Sequence, residues 1–395
     1  MTRYNFDREI DRHGTGAMKT DALTQFFGRD DVEALWIADM DFAVAPEITE
    51  ALTRRLSHAI YGYSAVPESY WQSIERWLSR RHHWDVSRDE LIYVNGVVKG
   101  IGFIINYFTD KGDKILIQPP VYHPFRRLIE GNGRTVVESP LRRTAHFYEM
   151  DLDDLERKFR EERPQMMILC NPHNPIGIQW SRPVLAHVAE LAREYGVKVV
   201  SDEIHGDLVL WGEPHVPFLE ASPVAREVGI ALGAPSKTFN IPGLSSSWIV
   251  IASPALREGF FKWMEENEFS EPTFMATIAT EAAYTYGEPW LAEAMEYIEQ
   301  NIKAVEEYCA ENLPKVKPMR PQASFLVWLD CRELGLDHEC LVDLFVNNAH
   351  LALNDGAMFG EEGSGYMRFN VASPRHVVLR CLEALKKAIA LMHNA

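Results

Sequence analysis

The sequence is poor in the features that mark several protein classes. Its five cysteines, Cys170, Cys309, Cys331, Cys340 and Cys381, are odd in number, scattered and without a CxxC pair. This argues against a disulfide framework and a structural zinc site, and it fits a reducing compartment. No apolar stretch approaches the roughly 20 residues that span a bilayer; Gly100–Phe108 and Trp248–Ala252 are the most apolar, and both fall far short. The first residues, Met1 to Asp7, are polar rather than leader-like, so the expectation is a cytoplasmic protein with no membrane partner. Basic residues are outnumbered, 40 Lys and Arg against 57 Asp and Glu, for a net charge of −17. A general phosphate-binding surface is thereby excluded, and nucleic acid with it, while local pockets for small anions remain. With only 24 glycines and 22 prolines, and no repeat or low-complexity linker, fibrous and disordered classes drop out.

What is present is a chain of 395 residues, 46% hydrophobic, too long for one small core and suited to two or three domains. Leu91–Val94, Lys114–Ile117, Arg134–Glu138, Gln165–Cys170, Val197–Ser201, Gly229–Leu232 and Trp248–Ala252 read as strands. Helices fall between them, among them Ser181–Tyr195, with Pro183 early and Gly196 just past its end. Such alternation predicts an α/β fold with a large, mostly parallel sheet covered on both faces. Long amphipathic helices follow (Pro254–Asn267, Phe274–Tyr286 and Glu288–Leu313), then an α+β stretch with strands near Ser324–Leu329 and Tyr366–Asn370. A last helix is expected to start at Ser373-Pro374. The domain reading is an N-terminal segment, 1–45, joining a smaller C-terminal α+β domain, 288–395, with a large ligand-binding domain at 46–287.

Ligands of doubly wound sheets collect at the carboxyl ends of strands, and five segments there carry polar chemistry. Asn95-Gly96-Val97-Val98 joins a strand to a helix, where free N–H groups and the helix dipole can hold a phosphate, or where glycine merely makes a turn. Tyr122, in Pro119-Pro120-Val121-Tyr122-His123-Pro124, can stack on a flat ligand or on its own domain. Asn171-Pro172-His173-Asn174-Pro175 is shaped to present an amide. Asp202-Glu203-Ile204-His205 ends a strand with groups that also suit a metal, but no HExxH or second ligand cluster accompanies them, so no metal is expected. Lys237, in Ser236-Lys237-Thr238-Phe239-Asn240, places an amine near an aromatic, an amide and a carboxylate, which is what imine chemistry needs.

In this order the five segments resemble the fold type I pyridoxal-phosphate enzymes of the aspartate aminotransferase superfamily. Trp36-Ile37-Ala38-Asp39-Met40-Asp41-Phe42 and Tyr61-Gly62-Tyr63, with the Asn171, Ser201-Asp202 and Ser236-Lys237 motifs, are most similar to its MalY/PatB group of carbon–sulfur β-lyases. The resemblance implies pyridoxal 5'-phosphate carried covalently on Lys237, with Asp202 at its pyridine nitrogen, Asn174 at its phenolic oxygen and Tyr122 stacked on its ring. It implies a phosphate site from Gly96, Val97, Val98, Ser236 and Ser245, completed by Tyr61 of a second subunit in a homodimer. Arg368 is implied as the clamp on an amino-acid carboxylate, with Asn174 beside it, and His205 as a cofactor neighbour where aminotransferases usually carry tyrosine. Ala234 and Ser245 stand where many relatives have a phosphate-binding serine and arginine. The implied reaction is elimination from cystathionine or another cysteine S-conjugate. An aminotransferase is the second reading, and a protein-binding regulator the third.

Overall fold

The computed structural model describes residues 3–144 and 147–392; the outermost residues of both terminal segments and residues 145 and 146 lie outside that description. Its main sheet has seven strands: β1 (Leu91–Val94), β2 (Lys114–Ile117), β3 (Thr135–Glu138), β4 (Met166–Cys170), β5 (Lys198–Asp202), β6 (Gly229–Gly233) and β7 (Ser247–Val250). They run in the order β1-β7-β6-β5-β4-β2-β3, parallel except for β7, which is antiparallel to both neighbours. Side chains alternate faces along each strand. Tyr93, Leu116, Leu169, Val199 and Trp248 enter one core, whereas Val94, Ile117, Ile168, Val200 and Ile249 enter another beneath the helices Val97–Phe108 and Pro254–Glu266. Burial on both faces explains the unbroken apolar runs of β1, β4 and β6, each side chain adding about 1.5–3 kcal/mol when fully buried.

The helix endings follow local chemistry. Arg182–Tyr195 has Pro183 in its first turn and stops where Gly196 turns left-handed (φ +73°), its N–H bonded to the carbonyls of Ala192 and Arg193. The last helix spans Arg375–Met392 instead of starting at Ser373-Pro374, and the Ser373 hydroxyl donates to Asp41 Oδ2 at 3.0 Å.

A second sheet, all antiparallel, comprises β8 (Lys317–Met319), β9 (Leu326–Asp330), β10 (Asn354–Asp355) and β11 (Tyr366–Asn370) in the order β8-β9-β11-β10. The N-terminal segment packs on this region: Glu33–Ala34 pairs in parallel with Leu351–Ala352, and Asp41 N–H donates to the Ala372 carbonyl at 2.9 Å. No helix among the described residues is long and apolar enough to cross a membrane.

Candidate active site

The carboxyl ends of the parallel strands share one edge, and the sequence-predicted residues other than Arg368 and Tyr61 follow or face the strand ends there. Asp202 closes β5, in register with Cys170 of β4 and Leu232 of β6, so the loops after these three strands are neighbours. Lys237 sits on the single helical turn Pro235–Thr238 just past β6. Because β7 runs the other way, Ser247 pairs with Val94, and this brings Ser245 to the same edge as Gly96. At Gly96 the backbone takes φ +99°, a conformation costly for other residues, and a Cβ there would meet nothing within 4 Å. The N–H groups of Val97 and Val98 open the helix Val97–Phe108 at this point, as the first turn of any helix does.

Arg368, on β11, crosses from the second sheet to complete the site. It is 4% exposed. Its Nη1 donates to Asn174 Oδ1 at 2.9 Å, its Nη2 to the Trp36 carbonyl at 3.1 Å and to Asn354 Oδ1, and its face lies over the Phe359 ring. Nε of Arg368 has no partner among the described residues. Burial pulls this guanidinium down to about 10, still cationic at neutral pH.

Two shifts distinguish the centre of the site. Burial pushes the Asp202 carboxyl up to about 7; the Ile204 N–H, at 3.1 Å from Oδ1, opposes this and is its one hydrogen bond among the described residues. Burial pulls the Lys237 amine down to about 8, helped by the Arg368 charge and opposed by Asp39 and Asp202. Around them Tyr122 is raised by burial and by Asp202, and His205 is driven down to about 3 by burial, Lys237 and Arg368. An amine that is partly neutral near pH 8 can attack a carbonyl or accept a proton. A carboxyl starved of donors will bind a cationic N–H.

Glu203 stands apart from Asp202 and His205. Its carboxylate turns to Ser201 Oγ, the Phe218 N–H and His215 Nε2, so these three residues do not converge as a metal site would. Ser236 is buried on the Lys237 turn, whereas Ser245 is exposed and carries the left-handed φ of +51°. Tyr61 lies outside the cluster, 59% exposed and stacked on Phe274 at 5.9 Å.

Sequence reasoning gave no role to individual residues of the Trp36–Phe42 segment, and the structure does. Its backbone carbonyls take hydrogen bonds from Arg368 (Trp36), Asn370 (Ile37 and Asp39), Lys237 (Ala38) and Asn240 (Met40 and Phe42). The segment is held from behind by Arg12, bidentate on Asp39 at 3.0 and 2.7 Å, and by Lys19, buried at 1% exposure and 2.8 Å from Asp41 Oδ2. Two aspartates inside an otherwise apolar motif were the available signal.

Residues 31–385 match the model of the aminotransferase class I and II family. The chain is 39% identical over 386 residues to cystathionine beta-lyase PatB of Bacillus subtilis, covering 98% of this chain and 100% of that protein. It is 34% identical to protein MalY of Escherichia coli, covering 99% and 98%. Among solved structures, the PLP-bound C-S lyase of Staphylococcus hominis superposes with a TM-score of 0.91 at 32% identity, over 98% of each chain.

Proposed function

The chain belongs to the aminotransferase class I and II family, and from that premise we propose that it is a pyridoxal-phosphate-dependent carbon–sulfur β-lyase. Its substrate is cystathionine or another cysteine S-conjugate, and its products are a thiol, pyruvate and ammonia. The observation that carries this reading is the opposed pair at the sheet edge, Asp202 raised to about 7 and Lys237 lowered to about 8. The relatives named above, a cystathionine lyase and a C-S lyase, favour elimination over transamination.

The residues present fit the cofactor. Asp202 lacks the partner that a protonated pyridine nitrogen offers, the amide NH2 of Asn174 makes no bond to another described residue, and the space beside Gly96 is open. Lys237 would hold the aldehyde carbon covalently, Asp202 the ring nitrogen, Asn174 the phenolic oxygen, and Tyr122 one ring face, with His205 alongside. Gly96, Val97, Val98, Ser236 and Ser245 would surround the phosphate. When bound, pyridoxal phosphate supplies an electron sink for the pair left when a bond at Cα breaks.

The chain's own groups do the rest. Arg368 holds the substrate α-carboxylate with a planar fork, exchanging its Asn174 and Trp36 contacts for carboxylate oxygens. The Lys237 amine, uncharged in part near neutrality, takes the proton from Cα. The Cβ–S bond then breaks with its electron pair going to sulfur, which leaves as the thiol after taking a proton. The unsaturated amine that remains reacts with water to give pyruvate and ammonia. While the amine is free, the Ala38 carbonyl offers it a resting acceptor beside the site.

The active unit is a homodimer in which Tyr61 of one subunit serves the cofactor phosphate of the other; in the single chain its ring is exposed and its hydroxyl donates to the Leu56 carbonyl at 2.9 Å, a bond it would exchange for the phosphate. The protein works in the cytoplasm, and its layout is an N-terminal segment (1–45) on a small domain (288–395) beside a large one (46–287). An aminotransferase remains the second reading, because the same amine and clamp also serve that fate. The test is turnover of L-cystathionine by the reconstituted protein with and without 2-oxoglutarate. Pyruvate and thiol without an acceptor support the lyase; strict dependence on the acceptor, with no thiol released, assigns the aminotransferase.

A further inference from the structure

Behind the loop that presents Asp202 and His205 lies a second carboxylate that the reaction does not use. Asp207 is 8% exposed, and both of its oxygens are engaged. Its Oδ1 accepts from Trp77 Nε1 at 2.9 Å and pairs with His82 Nε2 at 2.8 Å; its Oδ2 accepts from the Thr238 hydroxyl at 2.7 Å. The Arg81 guanidinium reaches the Asp207 carbonyl at 3.4 Å. Beside this network His215 pairs with Glu203 at 2.8 Å and meets the His82 ring edge-on at 5.3 Å. A void of ≈10 Å³ between them, also lined by Ala234, has room for about one water.

Thr238 directly follows Lys237. The turn that carries both, Pro235–Thr238, is four residues long, too short to hold its own geometry, so its position must be set from outside. Asp207, in turn, is five residues beyond Asp202 on a loop stiffened by its own bonds, Gly206 N–H to Glu203 at 2.8 Å and Leu208 N–H to His205 at 2.9 Å. The Thr238 hydroxyl is fully buried, so no solvent replaces its bond to Asp207.

We propose that Asp207, acting through the Thr238 hydroxyl, is the positioning residue that sets the Lys237 turn against the Asp202 loop. A ligand held between amine and carboxylate then meets both at once. The bond spans the two segments that must grip one cofactor, while Trp77 and His82 anchor it to the helix Glu68–His82. This inference rests on the cofactor reading above.

The experiment compares wild type, Thr238→Val, Thr238→Ser and Asp207→Asn as cofactor-free proteins titrated with pyridoxal phosphate, reading the dissociation constant, the position of the visible absorption band and the thermal midpoint. Thr238→Val, which keeps the volume and loses the donor, is expected to bind about tenfold more weakly with a displaced band. Thr238→Ser is expected within about twofold of wild type, with a cofactor-free midpoint close to that of Thr238→Val. Asp207→Asn, the second variant, is expected to weaken binding in the same direction. Unchanged affinity and band in Thr238→Val, a lowered midpoint alone, or equal losses in the Val and Ser variants would overturn the inference while leaving the cofactor reading standing. A wild type that takes up no cofactor would overturn both.

Discussion

Asp202, the last residue of β5, and Asp207, five residues on, are both nearly inaccessible, at 3% and 8% exposure, yet their surroundings shift their carboxyls in opposite directions. Burial lifts the Asp202 carboxyl to about 7, and among the described residues its one donor is the Ile204 N–H. Asp207 is desolvated as well, but His82 and Thr238 outweigh this and hold it below the ordinary carboxylate range. The contrast separates two meanings of a buried acid. One with a full set of donors belongs to the frame; one left short of them is a candidate partner for a cationic ligand atom.

The largest effect is expected at the residue facing Asp202. Lys237→Ala removes covalent attachment and proton transfer together, so turnover of cystathionine should fall by about 10⁴-fold or more while non-covalent cofactor binding persists; steady-state pyruvate release and the visible spectrum check both. Asp202→Asn keeps shape and one acceptor but cannot match the charge of a protonated ring nitrogen. It should cost on the order of a hundredfold in turnover with cofactor still bound.

Arg368→Ala removes the carboxylate clamp and should lower kcat/KM by about 10–100-fold for thioether and non-thioether amino acids alike, with Arg368→Lys between it and wild type. Competition by simple carboxylates measures the same loss.

Stability against pH sharpens the comparison directly. The Asp202 pKa is raised on folding, from 3.8 to about 7, so its contribution to cofactor-free stability is lost as pH rises through that window, by on the order of 4 kcal/mol. Asp207 has the opposite sign: its depressed pKa contributes stability that is present above 3.8 and lost as pH falls through the folded value. Urea unfolding of the cofactor-free protein at stepped pH should show Asp202→Asn flattening the decline toward pH 7, and Asp207→Asn flattening the decline toward acid. Equal slopes in both variants would erase the distinction.

The smallest and most specific effect concerns the second subunit. Homodimers of Lys237→Ala and Tyr61→Phe, each impaired, should regain part of the activity after subunit exchange, because one site of the mixed dimer carries neither lesion. Exchange shown by mass without recovery of turnover would place Tyr61 outside the partner's site.

Much of this frame was legible in the sequence because the signals are local. Two-sided burial writes apolar runs such as Met166–Cys170, the turn glycine Gly196 ends a helix, and polar residues directly after the parallel strands sit at the carboxyl edge of the sheet whatever the loops do. The roles of Asp39, Arg12 and Lys19 were not legible. They arise when the N-terminal segment folds back and its carbonyls meet Arg368 and Lys237, contacts between residues hundreds of positions apart. Asp207 left a fainter trace, a lone acid inside Gly206-Asp207-Leu208-Val209-Leu210. Nothing in the sequence links it to Thr238, because that pairing depends on the loop after β5 lying beside the turn after β6. Tyr61 stayed separate from the cluster for a different reason, since its proposed target belongs to another copy of the chain.

The most direct test of the central claim is to load the protein with pyridoxal phosphate, reduce it with borohydride, digest it and locate the attached pyridoxyl group by peptide mass. Covalent attachment at Lys237 predicts the group on that lysine in wild type and in Asp202→Asn, and its absence in Lys237→Ala. A protein that retains no cofactor after reduction, or that carries it on any other lysine, would contradict it.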